Sequence, residues 1–224
     1  MNNEELTMCF STAGGRYGFD DVKAEFSAFR DFKVKWTRNY KRAEFQVSDY
    51  LWDAPPEVLV SLAGTIFAKI RGEDADYDER VCAWLTSEEF LRSKQPTYLR
   101  RYPGFRTATA GEAKNLAESV RRLEEAGLVS AEPHEVVGWI RPSRGRSVGH
   151  ASVLMKVVGI SGMLDSGEVD DRLLDYCVYS QMVHVSLGFS PQGRCRGPEY
   201  DARMSRFPGR SAMESELRRL NLHI

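Results

Sequence analysis

Five consecutive residues, Ser180-Gln181-Met182-Val183-His184, occupy a frame suited to metal chemistry. On an α-helix the first and fifth positions of such a frame lie one turn apart on the same face. Two imidazoles placed there grip a zinc ion, and a Glu at the second position takes the proton of a zinc-bound water. Here the fifth position is His184, but the first is Ser180 and the second is Gln181. A neutral hydroxyl is a poor zinc ligand, and an amide does not accept a proton near neutral pH. Taken alone, His184 reads as a packed core residue. A rebuilt site would need His184 with Cys195 or Cys177, aided by His150 or His223. Such a set suggests an unconventional metal site or a thiolate–imidazole pair, although nothing in the spacing shows that these groups converge.

The element that carries this frame is Leu173 to Phe189. Leu173, Leu174, Cys177, Val178, Met182 and Val185 recur at helical spacing with few charges between them, which predicts a buried helix. Asp170 is placed to cap it, with Asp171 favourable in its first turn. Downstream, Pro198 to Arg206 reads as a short helix broken at Phe207-Pro208-Gly209, and Ser211 to Leu220 as a last one.

Composition narrows the partners. The 224 residues carry 31 basic and 32 acidic side chains, so the chain is neither a polybasic tail nor an acidic solvating segment. From Gly138 to Ile224 there are 12 Lys and Arg against 9 Asp and Glu, a mild excess that permits a polyanionic partner without demanding one. Cys9, Cys82, Cys177 and Cys195 form no CxxC pair, and the expected setting is cytoplasmic with reduced thiols. No apolar run reaches the length of a membrane span, and no membrane partner is expected.

Residues 1–28 contain Ser11 to Gly18, a Gly-rich stretch with no phosphate-loop signature, and read as a flexible leader. Residues 29–224 read as a single domain. Phe32–Trp36 and Ala43–Val47 alternate around a polar turn and predict a hairpin. Asp53-Ala54-Pro55-Pro56 predicts a capped helix ending at Gly72, followed by a helix over Tyr77 to Arg92. Thr109 with Glu112 forms a capping-box pattern that predicts a helix over Thr109 to Ala126. Val136–Ile140 and Ser152–Ile160 predict strands. Arg141, Arg144 and Arg146 lie on the loop between them, which reads as a solvated tip with some capacity for phosphate.

The ordered words of the second half resemble a family. Val137-Gly138-Trp139 precedes a basic loop and a strand. Leu164-Asp165 precedes Val169. Leu174-Asp175-Tyr176-Cys177-Val178-Tyr179 leads into the frame, and Pro198-Glu199-Tyr200 with Arg206-Phe207-Pro208 follows. Asp49-Tyr50-Leu51 and Ala54-Pro55-Pro56-Glu57-Val58-Leu59 fit the opening strand-to-helix junction. Over residues 30 to 220 the set resembles the SprT-like and YgjP-like zinc metallopeptidases, the minigluzincins, whose key helix reads like LDYVVYHELLH. The resemblance implies an α+β zincin-like fold, with a small twisted sheet packed on helices and the motif helix buried at its centre.

It also implies a zinc site, and the departures fall on that site. Ser180 replaces the first ligand and Gln181 the base. The third-ligand position falls at Cys195 or Arg196, of which only the Cys ligates. The expectation is therefore a catalytically inactive, metallopeptidase-like protein without zinc, with no catalytic residues and an ancestral cleft lined by Ser180, Gln181 and His184. Its partner is expected to be a protein or peptide bound in that cleft. Nucleic acid, met through Arg141, Arg144, Arg146, Arg194 and Arg196, is the alternative that the SprT-like branch implies.

Overall fold

The computed structural model describes residues 1–130, 132–192 and 197–224. The third-ligand positions Cys195 and Arg196, and Arg194 of the basic set, lie outside the described residues. The protein is α+β, with two mixed three-stranded sheets and eight α-helices among the described residues. No helix among them is long and apolar enough to cross a membrane. The chain divides into two compact units, with the change from first to second at Tyr98–Leu99; residues 190–192 belong to the first.

The first unit opens with α1 (Asn3–Gly15), followed by β1 (Asp21–Ser27), β2 (Val34–Asn39) and β3 (Arg42–Ser48). Residues expected as a flexible leader are thus part of a folded unit. Asn2 caps α1 and forms a capping box with Glu5, and Leu6 and Phe10 are fully buried. The leader reading failed because Leu6, Cys9, Phe10 and Ala13, spaced at three and four, are an inward helical stripe. β3 is the central strand, parallel to β1 and antiparallel to β2. The predicted hairpin is β2–β3, closed by a two-residue turn in which Tyr40 takes a left-handed φ of 43°.

Behind the sheet lies α2 (Pro56–Ile70), and α3 (Glu79–Leu85) packs on α2. Asp53 does not cap α2. Pro55 is the N-cap, and Asp53 accepts from the buried Lys94 ammonium of α4 (Glu88–Arg101) at 2.5 Å. The single helix predicted over Tyr77 to Arg92 is two. Ser87 breaks it, its hydroxyl donating to the Trp84 carbonyl and accepting from Phe90 N–H.

The second unit holds α5 (Leu116–Glu125), β4 (Val136–Ile140), β5 (Gly149–Ser152), β6 (Val157–Ser161), α6 (Asp171–Ser186), α7 (Pro198–Met204) and α8 (Arg210–Arg219). β6 is central, parallel to β4 and antiparallel to β5. The one long strand expected over Ser152 to Ile160 is instead a hairpin, turned at Lys156 with a left-handed φ of 45°. α5 is shorter than expected, and its cap is Asn115 rather than Thr109. A distant carboxylate overrides the capping-box pattern. Asp165 accepts from the N–H groups of Glu112, Ala113 and Lys114 at 2.8–3.0 Å and holds that segment as a loop. Partial desolvation opposes its ionisation, but these three donors hold the carboxyl below its ordinary range.

The sheet of the second unit is covered at one edge. Arg106 exchanges both backbone hydrogen bonds with Trp139 of β4, at 2.8 and 2.9 Å. Gly138 makes that approach possible, because a Cβ there would collide with the Arg106 carbonyl and the Phe105 ring. The other edge strand is β5. Helix α6 crosses the sheet and also contacts α5, α7 and α8, and every residue from Leu173 to Val185 is buried. A helix buried all round is the centre of its unit, as its apolar run predicts.

Candidate functional site

Asp170 caps α6 as expected, accepting from Arg172 N–H at 2.7 Å. Lower on the helix, Asp175 is held by a fork from α5. Arg122 donates to its two oxygens at 2.7 and 2.8 Å, and Ser119 Oγ adds a bond at 2.5 Å. Tyr179 donates to the Arg203 carbonyl, and its ring lies against Phe207 with centroids 5.6 Å apart. These contacts fix the rotation of α6 and hence which way residues 180–184 face.

Ser180 is fully buried, and its Oγ donates to the Cys177 carbonyl at 2.7 Å. The Gln181 amide donates to Ser180 Oγ at 3.2 Å. His184, 9% exposed, stacks on the buried Tyr200 ring with centroids 4.3 Å apart and planes 17° from parallel. Cys177 is wholly inside the core, where burial pushes its thiol far above the ordinary range. A thiol in that state is neither a nucleophile nor a ready ligand.

Gln181 and His184 reach a groove of about 280 Å³ whose other wall is the start of β5. Gly149, His150, Ala151 and Ile224 line it with them. Gly149 leaves the space that Gln181 uses, since a Cβ there would stand 3.0 Å from Gln181 Cγ. Ser180 does not line the groove. His150, half-buried, has its ring 5.6 Å from that of Tyr102, so two of the imidazoles considered from sequence share one groove.

β5 presents backbone to this groove. Ser161 N–H donates to the Val148 carbonyl, which sets the antiparallel alternation. His150 and Ser152 therefore bond to β6, while the N–H and C=O of Gly149 and Ala151 face the open side. The Ser147 hydroxyl serves Gly149, donating to its carbonyl at 2.7 Å. Just before it, His223 already pairs with the chain as a parallel bridge, accepting from Val148 N–H at 2.8 Å and donating to the Arg146 carbonyl at 3.1 Å. The backbone of His223, rather than its ring, makes this contact, which no residue-type pattern signals.

Two positions of the frame hold groups other than those a minigluzincin carries there. The first-ligand position is an internally bonded hydroxyl and the base position is a neutral amide. Among the described residues no three His, Cys, Asp or Glu side chains converge as a metal cluster. Arg141, Arg144 and Arg146 are exposed, but the Arg146 guanidinium is bonded to the Leu220 carbonyl at 2.8 Å and ties α8 to the loop.

Sequence reading missed a second cavity, of about 240 Å³, beside α6 and lined by Glu132, Glu135, Met182, Ser186, Arg203 and Arg206. Burial pushes the Glu135 carboxyl up to about 7. The signal was weak, because Glu135 lies in a polar connection whose burial depends on distant α7. No family model, no curated protein and no solved structure matches the chain.

Proposed function

We propose that the second unit is a degenerate zincin-like domain that binds an extended peptide in the β5–α6 groove without cutting it. The observation that carries this reading is the open backbone of Ala151 on β5, facing the groove that Gln181 and His184 line. An added strand would bond to Ala151 N–H and C=O and place alternate side chains against the α6 wall. Hydrolysis would need an activated water. The groove supplies an amide where the base belongs, and the neighbouring hydroxyl is already donating to Cys177. A cytoplasmic setting belongs to the same reading and is supported by the free thiols of Cys9, Cys82 and Cys177.

A random nonapeptide library displayed on phage and selected on the full chain tests this. Ala151→Pro removes one outward N–H and leaves the ladder to β6 intact. Enriched peptides that lose at least tenfold in affinity on that change, and are recovered uncut, are the expected result. Peptides cleaved by the protein, or bound equally by the variant, overturn it.

One observation favours a second reading, a rebuilt metal site: His150 and His184 line the same groove. That reading requires a third donor and predicts zinc lost on His184→Ala. Nucleic-acid binding has less support, because Arg146 of the basic loop is engaged by Leu220.

A further inference from the structure

The first unit carries an open sheet edge of a different kind. At one side of its sheet, β1 is sealed by α1. Thr7 Oγ donates to the Ala24 carbonyl and accepts from Ala24 N–H, and Asn3 accepts from Phe26 N–H. Among the described residues no helix seals β2 in this way. Ser48 N–H donates to the Lys33 carbonyl, so Lys35, Thr37 and Asn39 bond to β3. The backbone groups of Val34, Trp36 and Arg38 then face outward, and none bonds outside the sheet among the described residues.

Beneath this edge runs a groove of about 240 Å³ between β2 and α2. Val34, Trp36, Leu62, Ile66 and Ile70 make its apolar lining, with Lys33 and Lys69 at its rim. Trp36 pairs with Phe45 on the core side of the sheet yet is 45% exposed. The Lys33 and Lys35 ammoniums lie over the Phe29 ring and the Lys69 ammonium over the Tyr77 ring, contacts that leave their charge unneutralised. Lys33, Lys35, Arg38 and Lys69 make no ion pair among the described residues, whereas the neighbouring Arg42 and Glu44 neutralise one another.

We infer that the β2 edge and the β2–α2 groove form a docking site for an extended acidic peptide of a partner protein. The peptide adds as a fourth strand to β2. Its alternate apolar side chains enter the groove under Trp36, and its carboxylates meet these lysines and Arg38. An exposed aromatic flanked by basic residues is the composition of a binding hot spot. Charge argues against a second copy of this chain as the occupant, because pairing β2 with β2 would set two unneutralised basic strands side by side.

The same phage library separates this site from the β5 groove. Peptides belonging to it are expected to be rich in Asp and Glu with apolar residues at alternate positions. Their affinity should fall at least tenfold on Trp36→Ala, on Lys35→Glu and on raising salt from 0.05 to about 0.5 M, and should be unchanged by Ala151→Pro. Arg38→Pro, which removes an outward N–H together with the guanidinium, should weaken them as well. Folding of each variant is checked by circular dichroism. The inference is overturned if no acidic peptides are enriched, if enriched peptides ignore Trp36→Ala and Lys35→Glu, or if sedimentation shows a dimer that Trp36→Ala dissociates.

Discussion

The side-chain amide of Gln181 donates to Oγ of Ser180 at 3.2 Å. The two positions where a zincin places its first ligand and its general base are therefore bonded to each other. Ser180 in turn donates to the Cys177 carbonyl. The pair turns a site that would gather a cation and a water into a closed polar contact inside a helix. Of the frame, Gln181 and His184 still reach the groove, and the His184 ring lies flat on Tyr200.

Installing the residues that a zincin carries at these positions should therefore cost stability. Ser180 has no exposed surface, so Ser180→His must overpack the core, at about 1–3 kcal/mol. Gln181→Glu places a carboxylate at a site 5% exposed and should add to that cost. A urea melt of the single and double variants checks this. Unchanged midpoints would mean that the cleft is open at Ser180.

The Arg122–Asp175 fork should be the most sensitive polar contact of the second unit. Asp175→Ala leaves the buried Ser119 hydroxyl and the half-buried Arg122 guanidinium without this partner, at a cost of about 1–3 kcal/mol. Replacing both Asp175 and Arg122 by apolar residues of similar size should recover much of the loss. A double-mutant cycle in denaturant measures it.

Glu135 should make stability fall with rising pH. Burial holds its carboxyl at about 7 in the folded protein against 4.5 as the ordinary value. A hydrogen bond with the Glu132 backbone opposes this, the charges of Glu132 and Glu124 add to it, and Lys156 counters them. The folded state thus keeps a proton that the unfolded chain releases. Its contribution is most favourable below pH 4.5, declines between 4.5 and about 7, and is flat above, for a total of about 3 kcal/mol. Glu135→Gln should flatten this part of the profile and raise the melting temperature at pH 8 by several degrees. A variant that melts like the parent at both pH 5 and pH 8 would contradict it.

How far the sequence could be read depended on the range of the interactions that decide each element. α6 was legible from its cap to its end, because Asp170 and an apolar run are local signals. β2, β3 and β4 were legible from alternation and from short apolar runs. The start of α5 was not, because Asp165, more than fifty residues away, gathers the amides of Glu112 to Lys114. α1 was passed over because its Gly-rich end drew attention from the stripe of Leu6, Phe10 and Ala13. At the site, the sequence shows a hydroxyl at position 180 and an amide at position 181. Residue types did not announce that Ser180 points inward, nor that His150 and the backbone of His223 attend the groove, since these follow from how β5 meets α6.

The zinc content of the purified, tag-free protein, read by elemental mass spectrometry with His184→Ala as the control, tests the central claim most directly. The account predicts metal at background in both proteins and the same far-ultraviolet circular dichroism. Near-stoichiometric zinc in the parent, lost in His184→Ala, would contradict it and establish a metal centre built on the imidazole that now stacks on Tyr200.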